Sequence, residues 1–454
     1  NWTGTQTNQP PTDLYYVTMD GSTDWDPDIW IGRFSCSSTS QVTNLVDKTV
    51  DYERFNLSSG TGWIRDAVFM AGDDNYSITE GTHNYVVSNY FQPAGYTSEK
   101  LYEVTYGATT NDVRDAFNDG RSWGIFSGHG ATTYWADGPA FYASDVNGLT
   151  NSDMTPLIHS YSCVTGEYDT ACFGETWINA IDKGALAFWG SSVTSYWDED
   201  DVLEKGAVKA ALDEGYTWAT GISHRALYWL YQHYGGGGST RRYFEMYNLL
   251  GDPAVDIWTD VPATLSVSYP GSVPVGTSSF TVGVTSGGSP VANALVCVAK
   301  SDDGVYEVAY TNGSGQAAMT LDPAPATPGD LEVTVTRHDY YAHEGTATVS
   351  VGDSPQCVYA SHVVDDDGSG GSAGDGDGDV EPGETIELLV TLETIGNQPA
   401  YEVSATLSES DSYVTVTDDT EDYGDIPSGN TAQCLEDYDF TVGSSAPDGH
   451  LIEF

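Results

Sequence analysis

The sequence predicts an α/β chain, a parallel sheet with flanking helices, followed by β-sandwich domains, and three observations carry that reading. Over roughly the first 260 residues, short apolar runs alternate with amphipathic stretches, the βαβ pattern of a parallel sheet covered by helices. Candidate helices stop at Gly120, Gly184, Gly215 and Gly235, where a left-handed residue would end them. After Asp260 the texture changes to short alternating strands separated by Gly, Pro, Asn and Ser turns.

The sheet strands fall on the apolar runs Ala67–Ala71, Trp123–Phe126, Pro156–Tyr161 and Ala185–Trp189. In the β-rich part, strands are expected at Ser279–Val284, Ala294–Ala299 and Leu331–Thr336. A second such module is expected to open near Ser354, with strands Glu387–Leu392 and Tyr401–Leu407 and a continuation past Phe454. The expected domains are therefore 1–261, 262–352 and 353–454.

Composition narrows the function classes. The 67 acidic against 15 basic side chains give a net charge of −52, with no basic patch to release counterions from a phosphate backbone, so nucleic acid is not an expected partner. No stretch is long and apolar enough to span a bilayer, and Asn1–Pro11 shows no signal-peptide pattern. Six cysteines over 454 residues are too sparse for a disulfide scaffold.

In open parallel sheets, functional groups gather beyond the carboxyl ends of the strands. Asp73, His129, Cys163 and Trp197 follow the four runs in turn. A thiol becomes a nucleophile when an imidazole takes its proton, so His129 and Cys163 on adjacent strand ends form a plausible dyad. The backbone N–H groups of Gly130 and Cys163 are placed to hold an oxyanion, and such chemistry needs no metal. Spacing alone leaves the alternatives open: Cys163 as a small core residue and His129 as a tight-turn residue.

Longer landmarks occur in order: Ile31–Cys36, Lys48–Glu53, Ser127-Gly128-His129-Gly130, Leu149-Thr150-Asn151, Pro156–Cys163, Cys172-Phe173-Gly174-Glu175 and Gly251-Asp252-Pro253. Over about residues 12–260 the chain resembles the gingipain family of cysteine peptidases, which have a caspase-like catalytic fold. The resemblance implies that His129 and Cys163 are catalytic and that Asp73, with Asp74 as its competitor, orients the histidine. It further implies that Trp197 walls the specificity pocket, that Cys172 is structural, and that immunoglobulin-like domains follow. The family's additional N-terminal subdomain has almost no counterpart before Asp13.

The segment Asp375, Asp377, Asp379, Glu381 and Glu384 alternates carboxylates with glycines, as a structural Ca2+ loop would, although it is not an EF-hand. His338 and His343 are read as surface turn residues. No zinc-protease, serine-hydrolase, phosphate-loop or dinucleotide signature is found.

The leading expectation is an extracellular cysteine endopeptidase acting on protein or peptide substrates without a catalytic cofactor. Its first pocket is expected to prefer a basic side chain, Arg before Lys, with Glu80 as the pairing acid. The alternative is a structural or adhesive cell-surface protein that associates through its β domains, with an inactive or secondary caspase-like domain.

Overall fold

The structure, a computed structural model, describes residues 10–21, 23–352 and 355–454. Its contacts group into two compact units, one of residues 1–265 with 337–342, the other of residues 266–336 with 343–454. The expected boundary at 352/353 and the opening at Ser354 lie outside the described residues.

The first unit is built on the strands Asp66–Ala71 (β1), Thr97–Tyr102 (β2), Trp123–Ser127 (β3), Leu157–Tyr161 (β4), Ala187–Ser191 (β5) and Tyr247–Leu250 (β6). Their order across the sheet is β2-β1-β3-β4-β5-β6. The first five run parallel, and β6 closes the edge antiparallel to β5. The expected parallel sheet is thus present, with an antiparallel edge strand that the sequence did not signal, because the short β6 follows its neighbouring helix directly and shows no separate apolar run.

The longer helices are Thr39–Glu53 (α1), Tyr76–Val86 (α2), Thr110–Asn118 (α3), Phe173–Asn179 (α4), Trp197–Leu212 (α5), Ala219–Tyr234 (α6) and Gly238–Met246 (α7). Strand residues alternate between two cores. Phe69, Ile125 and Trp189 join Leu203 of α5 and Ile222 of α6 in one, whereas Val68, Met70, Ile158 and Phe188 meet Phe117 of α3 and Trp177 of α4 in the other. Burial on both faces is why these strands read as continuous apolar runs. Gly120, Gly184, Gly215 and Gly235 all adopt positive φ; Gly120, Gly215 and Gly235 do so just past the ends of α3, α5 and α6, whereas α4 already ends at Asn179 and Gly184 lies in the turn before β5.

In the second unit the sequence pattern is the period-two alternation of antiparallel sheets. Ser279–Ser286, Leu295–Lys300 and Gly329–Thr336 bury Val282, Val284, Val296, Val298, Leu331, Val333 and Val335. Thr385–Thr394 covers the expected Glu387–Leu392 strand, and Ala400–Thr406 overlaps the expected Tyr401–Leu407 strand up to Thr406. Ile386, Leu388, Phe440 and Val442 form the core there. No helix among the described residues is long and apolar enough to cross a membrane.

Candidate active site

The site lies where β1, β3, β4 and β5 end. The register pairs Ala71 with Ser127 and Ser127 with Tyr161, so the loops that follow leave the sheet at one level. His129 and Cys163 each stand two residues past that level, on neighbouring strands. Gly130 then lies directly against the Cys163 strand end: a Cβ there would fall 2.6 Å from the Cys163 carbonyl oxygen and 2.8 Å from Ser162 Oγ. Only glycine permits so close an approach of the two loops.

His129 is held on three sides. Its Nε2 meets Asp74 Oδ2 at 3.0 Å, its backbone N–H donates to Asp137 Oδ1 at 2.6 Å, and the Trp197 ring meets its edge with centroids 5.2 Å apart. The carboxylate contact favours the tautomer with its proton on Nε2, which leaves Nδ1 outside that contact. Asp137 lies in a slot lined by glycines, since a Cβ on Gly72 or Gly128 would come within 2.6 and 2.8 Å of its carboxylate. Burial pushes the Asp137 carboxyl up from its ordinary range, and the His129 contacts pull it back.

The Cys163 thiol donates to the Ser195 carbonyl at 3.9 Å. Burial, with the nearby Asp200 carboxylate, pushes its titration up, against the lowering contact with Ser195. Val164, the next residue, sits at φ 53°, a left-handed conformation unusual for a β-branched side chain. Beneath the strand end, Ser160 Oγ accepts from Trp135 Nε1 at 2.9 Å and contacts the Ser162 and Thr165 hydroxyls. No hydrogen bond joins His129 and Cys163 among the described residues. Such bonds are commonly long until substrate closes the site.

The surrounding helices are pinned together. His83 of α2, fully buried, contacts Glu204 of α5 at 2.7 Å and the Met70 carbonyl of β1 at 3.0 Å. Thus the helix following Asp74 and the helix beginning at Trp197 are tied through one buried pair.

Several expected residues take different places. Asp74, not Asp73, receives His129, and Asp73 is exposed. Glu80 is not at a pocket floor: it lies inside α2 and is buried, accepting from the backbone N–H of Thr105 at 3.1 Å and from the Thr105 hydroxyl. Trp197 does stand at the site, as the first residue of α5. His338 is no plain turn residue: it contacts Asp256 at 2.9 Å and Asp339 at 3.1 Å, and although burial pulls its titration down, these carboxylates raise it to about 9.

In the acidic segment, Asp375 and Asp377 group with buried Asp366, and Asp375 also groups with Glu381 and Glu384. Asp379 belongs to neither group among the described residues. Sequence reasoning missed Asp137, Asp200 and Asp366, which carry no motif of their own. Asp200 is fully buried, with its carboxyl pushed up to about 7 by burial against hydrogen bonds from Tyr247 at 2.7 Å and Tyr243 at 3.1 Å.

A five-strand parallel run with histidine and cysteine loops on adjoining strand ends defines the layout of a cysteine-peptidase domain. The chain belongs to peptidase family C25, whose model matches residues 3–258. It is similar to Lys-gingipain of Porphyromonas gingivalis, 30% identical over 362 residues, which are 72% of this chain and 20% of that protein. Gingipain R2 of the same organism is 26% identical over 358 residues, 74% of this chain and 47% of that one. The chain thus spans between a fifth and about half of these relatives' lengths. Among solved structures, the Arg-specific cysteine proteinase gingipain R superposes with a TM-score of 0.68 at 23% identity, covering 76% of this chain and 80% of that one. A structure described as a protease gives 0.66 at 28% identity, covering 74% and 78%. The caspase-like fold of the gingipains is therefore the fold of the first unit.

Proposed function

We propose that this chain is a cysteine endopeptidase in which Cys163 is the nucleophile and His129 its base. The observation that carries the proposal is the seating of the His129 loop, through Gly130, against the Cys163 strand end, with Asp74 orienting the ring. His129 Nδ1 takes the thiol proton as Cys163 Sγ attacks the scissile carbonyl. The backbone N–H groups of Gly130 and Cys163 face the developing oxyanion. The protonated imidazole then gives its proton to the leaving amine, and water, deprotonated by His129, releases the acyl group.

A basic residue before the scissile bond suits the carboxylates around Trp197. Asp198 and Glu199 line an open cavity beside that ring, and they replace Glu80 as the pairing acids. The family membership supports an extracellular setting, and the exposed side chains Tyr306, Val308 and Tyr310 offer the β modules a surface for association. The acidic groups at Asp375, Asp377, Glu381 and Glu384, with Asp366, suit a structural Ca2+, because hard cations take several carboxylate oxygens around a tight turn. Thermal melts with and without Ca2+ test that part, and an unchanged melting temperature removes it.

The central test compares the wild-type protein with Cys163→Ala. Loss of peptide hydrolysis and of labelling by a thiol-directed peptide probe, in a protein that melts normally, is expected. Wild-type turnover by Cys163→Ala discards the dyad.

A further inference from the structure

We propose that Arg242 and the first turn of α7 form an anion-recognising wall beside the catalytic pair, which receives a substrate carboxylate near the scissile bond. The proposal rests on the peptidase reading and names a feature of its substrate.

The cavity of about 690 Å³ next to Trp197 is also lined by Asn75, Asp198, Glu199, Ser239 and Arg242. Its place is fixed by two contacts. Asn75 follows Asp74, which holds the His129 ring, and Trp197 packs on that ring. A peptide lying across His129 therefore sends a neighbouring side chain into this cavity.

The cavity has walls of opposite sign. On one side, the first turn of α5 presents Asp198 and Glu199. On the other, α7 starts at Gly238 after the N-cap Gly237, which offers no side-chain cap, so Gly238 and Ser239 bring its unpaired N–H end to the cavity. Arg242 lies one turn further along the same helix.

Arg242 is anomalous in so acidic a chain. With 67 carboxylates available, Arg241 pairs with Glu245, Arg225 with Glu214 and Arg33 with Asp13. Among the described residues, the Arg242 guanidinium has no hydrogen-bond or ion-pair partner, and its Nε is sealed from solvent without one. Left without an acceptor in so acidic a chain, the guanidinium offers the remaining donors of its fork to a carboxylate entering the cavity it lines. The adjacent helix end favours the same charge. The two-signed cavity then fits a peptide in which an acidic residue stands close to a basic one.

The test uses paired peptides in which Glu or Gln is scanned through the three positions on either side of the cleaved bond, all amidated at the C-terminus. One Gln peptide is also made with a free C-terminal carboxylate. Binding is read by fluorescence polarisation on Cys163→Ala protein, with and without Arg242→Gln or Arg242→Lys, and turnover is read on the active enzyme. At one position the Glu peptide is expected to bind about tenfold more tightly than its Gln partner. That ratio should fall to near one in Arg242→Gln and be partly kept in Arg242→Lys. A preference only for the free carboxylate, lost in Arg242→Gln, keeps the wall and assigns it to the peptide terminus. Equal binding of every pair by the Cys163→Ala protein overturns the proposal whatever the Arg242 variants do, as does a Glu preference that survives Arg242→Gln. Absent turnover with an intact binding ratio sinks the peptidase reading and leaves Arg242 standing.

Discussion

His129 turns its Nε2 to Asp74 at 3.0 Å and leaves Asp73, one residue earlier, exposed. The left-handed Asn75, at φ 47°, turns the chain into α2 directly after Asp74. Both members of the contact are about half exposed, at 52% and 55%, so solvent limits the strength of the pair and its role is mainly to orient the ring. Asp74→Asn is expected to lower kcat/KM about tenfold, a barrier change of about 1.4 kcal/mol, whereas Asp73→Asn should remain within about twofold of wild type. Steady-state kinetics on a single fluorogenic peptide decide, and the reverse order returns the role to Asp73.

Gly130 separates the His129 and Cys163 loops by the least possible bulk. Gly130→Ala places a methyl 2.6 Å from the Cys163 carbonyl oxygen and must push the His129 loop away. Because small misplacements at a reacting centre are costly, a loss of about a hundredfold in kcat is expected. Gly62→Ala, where nothing lies within 4 Å, serves as the control and should keep wild-type turnover. Full activity in Gly130→Ala would show that the loops need not meet.

Glu80 belongs to folding. Glu80 is buried but Thr105 is exposed, so the N–H and hydroxyl freed by Glu80→Ala meet water and the substitution should destabilise by about 0.5–1.5 kcal/mol in urea unfolding. Its ratio of cleavage after Arg, Lys and Ala should match wild type. A changed ratio would restore Glu80 to the substrate pocket.

His338 gives the first unit a pH-dependent element. Its folded titration, raised to about 9, lies above the unfolded value of about 6.5, so its charged form stabilises fully below about pH 6.5 and that stabilisation fades as pH rises through about 9. Burial opposes ionisation of the partner Asp339, but the His338 contact outweighs it and lowers that carboxyl below its ordinary range. Its contribution is therefore present above the unfolded carboxyl range and lost as pH falls through its lowered folded value. The stability gap between wild type and His338→Gln in urea should be widest near pH 6 and nearly closed by about pH 9.5. A gap of constant size across that span would exclude the charged pair.

The sequence by itself determined the features that depend on near neighbours along the chain. Burial of strands on both faces wrote Ala67–Ala71 and Trp123–Phe126 as unbroken apolar runs, and the helix stops wrote Gly120 and Gly215. The Gly-His-Gly loop and the cysteine after the next strand were legible for the same reason, since each stands at a fixed short distance from a strand end. Tertiary structure alone decided between Asp73 and Asp74, because one residue of register at the start of α2 turns a side chain from the histidine to solvent. It alone withdrew Glu80 into a contact with Thr105, 25 residues away, and brought Asp137 beneath His129 through gaps left by Gly72 and Gly128. Arg242 stands 113 residues from His129 in sequence, yet the folds of α5 and α7 place it on a cavity beside that ring. Charge pairing over such separations leaves no periodic trace in a sequence, since any of its many carboxylates could have met that arginine, and packing determined that none did.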